Sequence, residues 1–187
     1  LEVAGNGQEA QRNNSLGQVK QWRNAIDVGA NVGEWARPLA EKFQQVICFE
    51  PNPNFRECFE KNIPETNVTL HPYGLSNYEH TVTQGFNNTY LNETMGDTAP
   101  KDGDIQCRTL DSFNFTNVDY IKIDVDGFEV PVLQGAQETI RENNPVINIE
   151  MKGRKRPKIV EKCRRILRDL GYIQHSRVRS DEVWLKS

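Results

Sequence analysis

The chain has 187 residues, with 23 Lys and Arg against 26 Asp and Glu, a formal net charge of −3, and that length suits one domain able to bury a core. Hydrophobic residues make up 36% and charged residues 26%. That is too apolar for a disordered chain, and no run approaches the roughly 20 apolar residues that span a bilayer. Collagen, coiled coil, membrane span and disulfide scaffold are excluded: Cys48, Cys58, Cys107 and Cys163 form no C-x-x-C pair and read as reduced thiols in a cytoplasmic compartment.

Residues 1–24 are rich in Gln, Asn and Gly without sustained periodicity, which predicts a polar lead-in, mobile or partly helical, with no signal-peptide core. A short apolar strand follows at Ala25–Val28, closed by Gly29. Residues 34–43 have a helical pattern in which Pro38 must sit in the first turn or kink the helix. Residues 46–50 read as a buried strand, and Asn54–Asn62 as a helix with Phe55, Cys58 and Phe59 on one face. Val68–His71 is a third strand. Residues 76–105 are polar and punctuated by Gly85, Gly96, Pro100 and Gly103, a candidate insertion or lid. Then come a strand at 120–124, a helix at Val130–Glu142 and a strand at Val146–Glu150. Lys158–Leu170 is an amphipathic helix stopped by Gly171. Tyr172–His175 and Val183–Leu185 read as closing strands. Strands alternating with helices indicate a parallel sheet with helices on both faces, one domain over residues 25–187.

The charge is unevenly spread: residues 152–187 carry a balance of +8 and residues 1–151 a balance of −11. The basic segment 152–158 could face an anionic partner, and the plainer reading is a solvated helix face.

The strongest local signal is Asp27-Val28-Gly29-Ala30-Asn31-Val32-Gly33, a strand running into a tight turn and a helix start. Ligands of open α/β sheets sit at such strand ends. The spacing is not the G-x-G-x-x-G of dinucleotide sites, and an acid beside the loop suits an amine better than a phosphate. Glu50 follows Gly29 by 21 residues, the position of an acid that binds ribose hydroxyls.

These segments, together with Phe49-Glu50-Pro51-Asn52-Pro53, Thr109-Leu110-Asp111, Ile121-Lys122-Ile123-Asp124-Val125-Asp126-Gly127-Phe128-Glu129 and Leu133-Gln134-Gly135-Ala136, resemble the FkbM family of S-adenosylmethionine-dependent methyltransferases over about residues 25–151. The resemblance implies a Rossmann-like class I methyltransferase fold, a mostly parallel seven-stranded sheet with helices on both faces. It also implies O-methylation of a hydroxyl on a saccharide or small metabolite. Asp126 departs from the pattern, which usually has Glu there. Residues 76–105 carry no family motif, so the acceptor does not follow from the resemblance.

On this reading Asp27 and Asp124 bind the cofactor's amine, and the loop of Gly29, Ala30, Asn31 and Gly33 takes its carboxylate. Glu50, with the Pro51-Asn52 turn, takes the ribose, and Gly74, Leu75 and Ser76 adjoin the adenine. The candidate catalytic acids are Asp124, which ends its strand at the cleft, then Asp126, Glu129 and Glu150. Three nearby carboxylates could hold Mg²⁺ through oxygen, although no metal ligand is assigned. A capping box from Asp126 to Glu129 is the plainer account of those two acids, but Pro131 favours a helix that begins nearer Glu129. His175 is a lesser candidate for a base.

Nucleic-acid methylation would draw on residues 152–158, but the Asp124-Val125-Asp126-Gly127 segment lacks the Asn/Asp-Pro-Pro-aromatic motif of base-amino methylases. Acids around the cleft would also repel phosphates. A non-catalytic module that retains the pocket is a third reading, and a nicotinamide dehydrogenase is more remote. The expected partner is a small-molecule or saccharide acceptor, with no membrane and no nucleic acid.

Overall fold

The computed structural model describes residues 8–84, 90–94, 104–152 and 156–187. A seven-stranded sheet forms its centre. In chain order the strands are β1 (Asn24–Val28), β2 (Gln45–Phe49), β3 (Val68–His71), β4 (Gly74–Leu75), β5 (His80–Gln84), β6 (Tyr90–Thr94), β7 (Asp104–Arg108), β8 (Val118–Ile123), β9 (Val146–Glu150), β10 (Tyr172–Val178) and β11 (Asp181–Lys186). The central order is β10-β11-β9-β8-β1-β2-β3. β3, β2, β1, β8 and β9 run parallel, and β11 is antiparallel to both β9 and β10. Chain order reverses between β1 and β8, so a crevice opens at their carboxyl ends.

The parallel strands are apolar because both faces are covered. Ile26, Ile121, Ile123, Ile147 and Ile149 are buried on one side, and Ala25, Val46, Cys48 and Tyr120 on the other. The helices are α1 (Glu9–Leu16), α2 (Ala36–Ala40), α3 (Pro53–Asn62), α4 (Glu129–Gln134), α5 (Gln137–Asn143) and α6 (Pro157–Asp169). Pro38 and Pro131 each occupy the third position of a helix, where the missing N–H would have had no intrahelical acceptor. α6 buries Val160, Cys163 and Leu167 and ends at Gly171, whose φ is 78°.

Within residues 1–24 the lead-in is partly helical: α1 docks on the sheet with Leu16 buried, and the Ser15 hydroxyl lies 2.8 Å from that of Tyr120. One expected element changes. The helix expected at Val130–Glu142 is two helices. They part at Gly135, where a Cβ would stand 2.0 Å from the Ser76 carbonyl oxygen. Within the stretch 76–105, expected as an insertion or lid, β5, β6 and β7 join β4 in a second sheet, ordered β4-β7-β5-β6. Val82, Ile105 and Cys107 form its small core. Residues 85–89 and 95–103 of that stretch, and 153–155 of the basic segment, lie outside the described residues.

Candidate active site

A cleft of about 220 Å³, open to solvent, lies over the carboxyl ends of β1, β2 and β8 and is walled by the second sheet. Of the residues singled out from the sequence, it brings together Gly29, Asn31, Glu50, Pro51, Asn52, Gly74, Leu75, Asp124 and Asp126. Asp27, Ala30, Gly33, Ser76, Glu129 and Glu150 do not line it.

Glu50 is 6% exposed and already engaged. Its Oε1 accepts the Asn52 amide at 2.8 Å and its Oε2 accepts the Asn31 amide at 2.9 Å. Burial raises its pKa, and the two amides oppose that rise. Asn52 also caps α3 by accepting the Asn54 amide. The strand end, the turn and the helix start thus lock one another. A carboxylate offers about four acceptor positions, so Glu50 keeps capacity for two further donors.

The glycine loop is pinned from several sides. Gly29 (φ 78°) abuts the Asp124 carbonyl, where a Cβ would come within 2.0 Å. The Gly29 and Ala30 amides both donate to the Phe49 carbonyl at 3.0 Å. With the Asn31 amide on Glu50, these three donors are committed inside the protein. The expectation that they receive a cofactor carboxylate is therefore corrected. Gly33 serves packing instead, since a Cβ there would stand 2.6 Å from Ile63.

Asp27 is likewise not a cleft residue. It is fully buried beneath the loop, 3.1 Å from the Lys122 ammonium. Ser76 is buried against Gly135, outside the cleft. Glu129 is buried, begins α4 and accepts the Gly127 amide at 2.9 Å, so it shapes the turn. The N-cap of α4 is Phe128, which sets aside the capping box from Asp126.

The acids beside the cleft form a linked group. The Glu150 pKa is pushed up to about 7 by burial and then by the neighbouring Asp124, with Lys152 opposing. Lys152 Nζ lies 2.7 Å from Glu150 and 2.5 Å from Asp126. The Ser180 hydroxyl donates to Glu150 at 3.2 Å. A neighbouring carboxylate disfavours the charged form of the other, which is the second cause of the rise at Glu150. Among the described residues no group of three or more His, Cys, Asp or Glu is arranged to hold a metal ion, so the Mg²⁺ reading finds no support.

The histidines stand away from this chemistry. His71 stacks on Phe49 with centroids 5.0 Å apart, and burial, then Arg108, lowers its pKa. His175 lies exposed on the edge strand β10. Sequence reasoning missed the apolar wall of Tyr73, Val82, Ile105, Cys107 and Phe55. The alternation of Ile105 and Cys107 with polar neighbours was its available signal.

The comparisons agree with this geometry. The family model described as Methyltransferase FkbM domain matches residues 27–173. No curated protein matches the chain. A methyltransferase FkbM structure from Methylobacillus flagellatus KT is similar at 20% identity and TM-score 0.63, covering 90% of this chain. The match takes in 44% of that structure, so the present chain spans less than half its length. A precorrin-6y C5,15-methyltransferase from Geobacter metallireducens GS-15 is similar at 15% identity and TM-score 0.62, over 100% of this chain and 92% of that one. A Streptococcus mutans structure in complex with SAH is similar at 12% identity and TM-score 0.61, over 97% of both chains. At these identities the solved structures speak for the fold, a class I methyltransferase fold, and the family model speaks for kinship. The chain belongs to the FkbM methyltransferase domain family.

Proposed function

We propose that this chain is an S-adenosylmethionine-dependent O-methyltransferase acting on a hydroxyl of a saccharide or small metabolite. The observation that carries the reading is the cleft at the strand-order reversal, with Glu50 and Asp124 both in its lining. The residues fit the cofactor in kind. Glu50 has acceptor capacity for two ribose hydroxyls, and the wall of Tyr73, Leu75, Val82 and Ile105 is an apolar seat for a flat ring. Asp124 and Asp126 supply negative charge for a cationic ligand. When bound, S-adenosylmethionine supplies an electrophilic methyl group on a sulfonium.

Asp124 would take the proton of the acceptor's hydroxyl, and S-adenosylmethionine would supply the methyl group and leave as the neutral thioether. Glu150 lies close enough to Asp124 to feel its charge. Holding the hydroxyl and methyl in line accounts for much of such a rate, and the base adds roughly 10²–10⁴-fold. The acids at the mouth disfavour polyanionic acceptors. The test is release of S-adenosylhomocysteine across a panel of hydroxylated acceptors, with RNA and DNA included. Turnover on a hydroxylated small molecule supports the reading, and turnover confined to nucleic acid overturns the acceptor class.

A further inference from the structure

Beneath the glycine loop lies a charge pair that does not reach the cleft. Asp27 is 0% exposed and Lys122 4%. Lys122 Nζ sits 3.1 Å from Asp27 Oδ1 and donates to the Gly29 carbonyl at 3.0 Å. The ammonium lies 5.9 Å from the Trp35 ring centroid. Burial alone would lower the pKa of Lys122, and the charges of Asp27 and Asp124 outweigh it, so the side chain stays a cation.

Such a pair is a poor device for stability. Removing both ions from water costs about what their attraction returns, and apolar residues of similar volume often serve as well or better. Its placement indicates another use. The orientation of the Gly29–Ala30 peptide is set by ψ of Gly29 and φ of Ala30, and glycine leaves the first of these freer than any other residue would. As it stands, the Ala30 amide donates to Phe49 at 3.0 Å and the Gly29 carbonyl accepts from Lys122. Turned over, the peptide would lose both bonds. The adjoining Asn31 amide, 2.9 Å from Glu50 Oε2, would shift with it.

We propose that Lys122, charge-balanced by Asp27, is a positioning residue that locks the Gly29–Ala30 peptide and through it the cofactor-facing geometry of Asn31 and Glu50. The role rests on the reading of the cleft as a cofactor site. Lys122 suits it because an ammonium bond to a carbonyl is stronger than a neutral one, and because its charge faces Asp27 and Asp124 together.

The test pairs thermal melting with calorimetric titration of S-adenosylhomocysteine into wild type and the Asp27→Leu/Lys122→Met double variant. The double variant is expected to melt within a few degrees of wild type and to bind at least about tenfold more weakly, the loss expected for one charge-assisted bond. Unchanged affinity in a folded double variant overturns the proposal. Absence of binding by wild type would instead sink the cofactor reading. In that case, or if the double variant does not fold, amide exchange of the ligand-free wild type decides. Ala30 and Asn31 amides protected about 10²-fold or more support a lock built into the protein, and exchange near free-peptide rates overturns it.

Discussion

Glu50 binds its own backbone before it binds anything else. Because it holds the Asn31 and Asn52 amides, Glu50→Ala removes a ligand acceptor and loosens the loop together. S-adenosylhomocysteine affinity should fall at least about tenfold, since hydrogen bonds to charged groups contribute about 1.5–3 kcal/mol each, and the melting temperature should fall as well. Calorimetry beside thermal melts checks this, and unchanged affinity would remove Glu50 from the site. Asp124→Asn keeps the shape and loses the proton acceptor. Turnover should drop about 10²–10⁴-fold while melting changes little; near-normal turnover with depressed melting would make Asp124 a scaffold residue. Glu150 yields a pH signature. Its carboxyl holds a proton to about pH 7 in the native state, against an ordinary value of 4.5. Between those values folding takes up a proton, so this group makes stability fall as pH rises from 4.5 to 7. Glu150→Gln should therefore melt higher than wild type at pH ~8 and about the same at pH ~4.5, a difference of up to about 3 kcal/mol. Equal melting of the two proteins at both pH values would show that the Glu150 carboxyl is not held protonated.

The informative elements are those that meet across the chain. α4 and α5 part where the backbone of Ser76 presses on Gly135. Gly135→Ala places a methyl group 2.0 Å from a carbonyl oxygen, and the backbone must move, at a cost of about 1–3 kcal/mol. A lowered melting temperature is expected; an unchanged one would mean that the α4–α5 turn is free to shift. The same contact ties the second sheet to the helices behind Asp124, because Ser76 directly follows β4. The second sheet is therefore part of the frame of the cleft, with Leu75, Val82, Ile105 and Cys107 closing one side of it.

Across the whole molecule, charge is segregated, with a surplus of +8 in residues 152–187. Acids outside the segment answer only Lys152, which pairs with Asp126 and Glu150, while Arg164 and Arg177 reach Glu182 inside it. Lys158, Lys162, Arg165 and Arg168 stand exposed along α6, with Glu161 and Asp169 among them. Binding to RNA or DNA at physiological salt is still not expected, since acids stand among these cations and at the mouth of the cleft, and phosphate affinity falls steeply as salt rises. Titration with labelled RNA over a salt series checks this, and a salt-dependent micromolar complex would reverse the ranking of acceptors.

The sequence by itself determined the local pieces. Apolar runs between breakers marked the central strands, and Pro131 moved the expected start of α4 toward Glu129. The 21-residue step from Gly29 to Glu50 put an acid at the end of the second strand. These features follow from contacts among near neighbours, which a linear pattern records. Tertiary structure alone decided how they combine. Asp27 and Asp124 read alike as acids at strand ends. Yet Lys122 on the adjacent strand takes the charge of Asp27 below the loop, whereas Asp124 opens to the cleft and meets Glu150. Gly135 reads as an ordinary helix residue until Ser76 is found against it. The second sheet was hidden because its strands are short and the residues between them are rich in Gly and polar groups. Their pairing, His80 with Cys107 and Gly74 with Cys107, joins positions far apart in the chain. Which acid is buried, paired or exposed depends on distances between elements, and those exist only once the sheet has assembled.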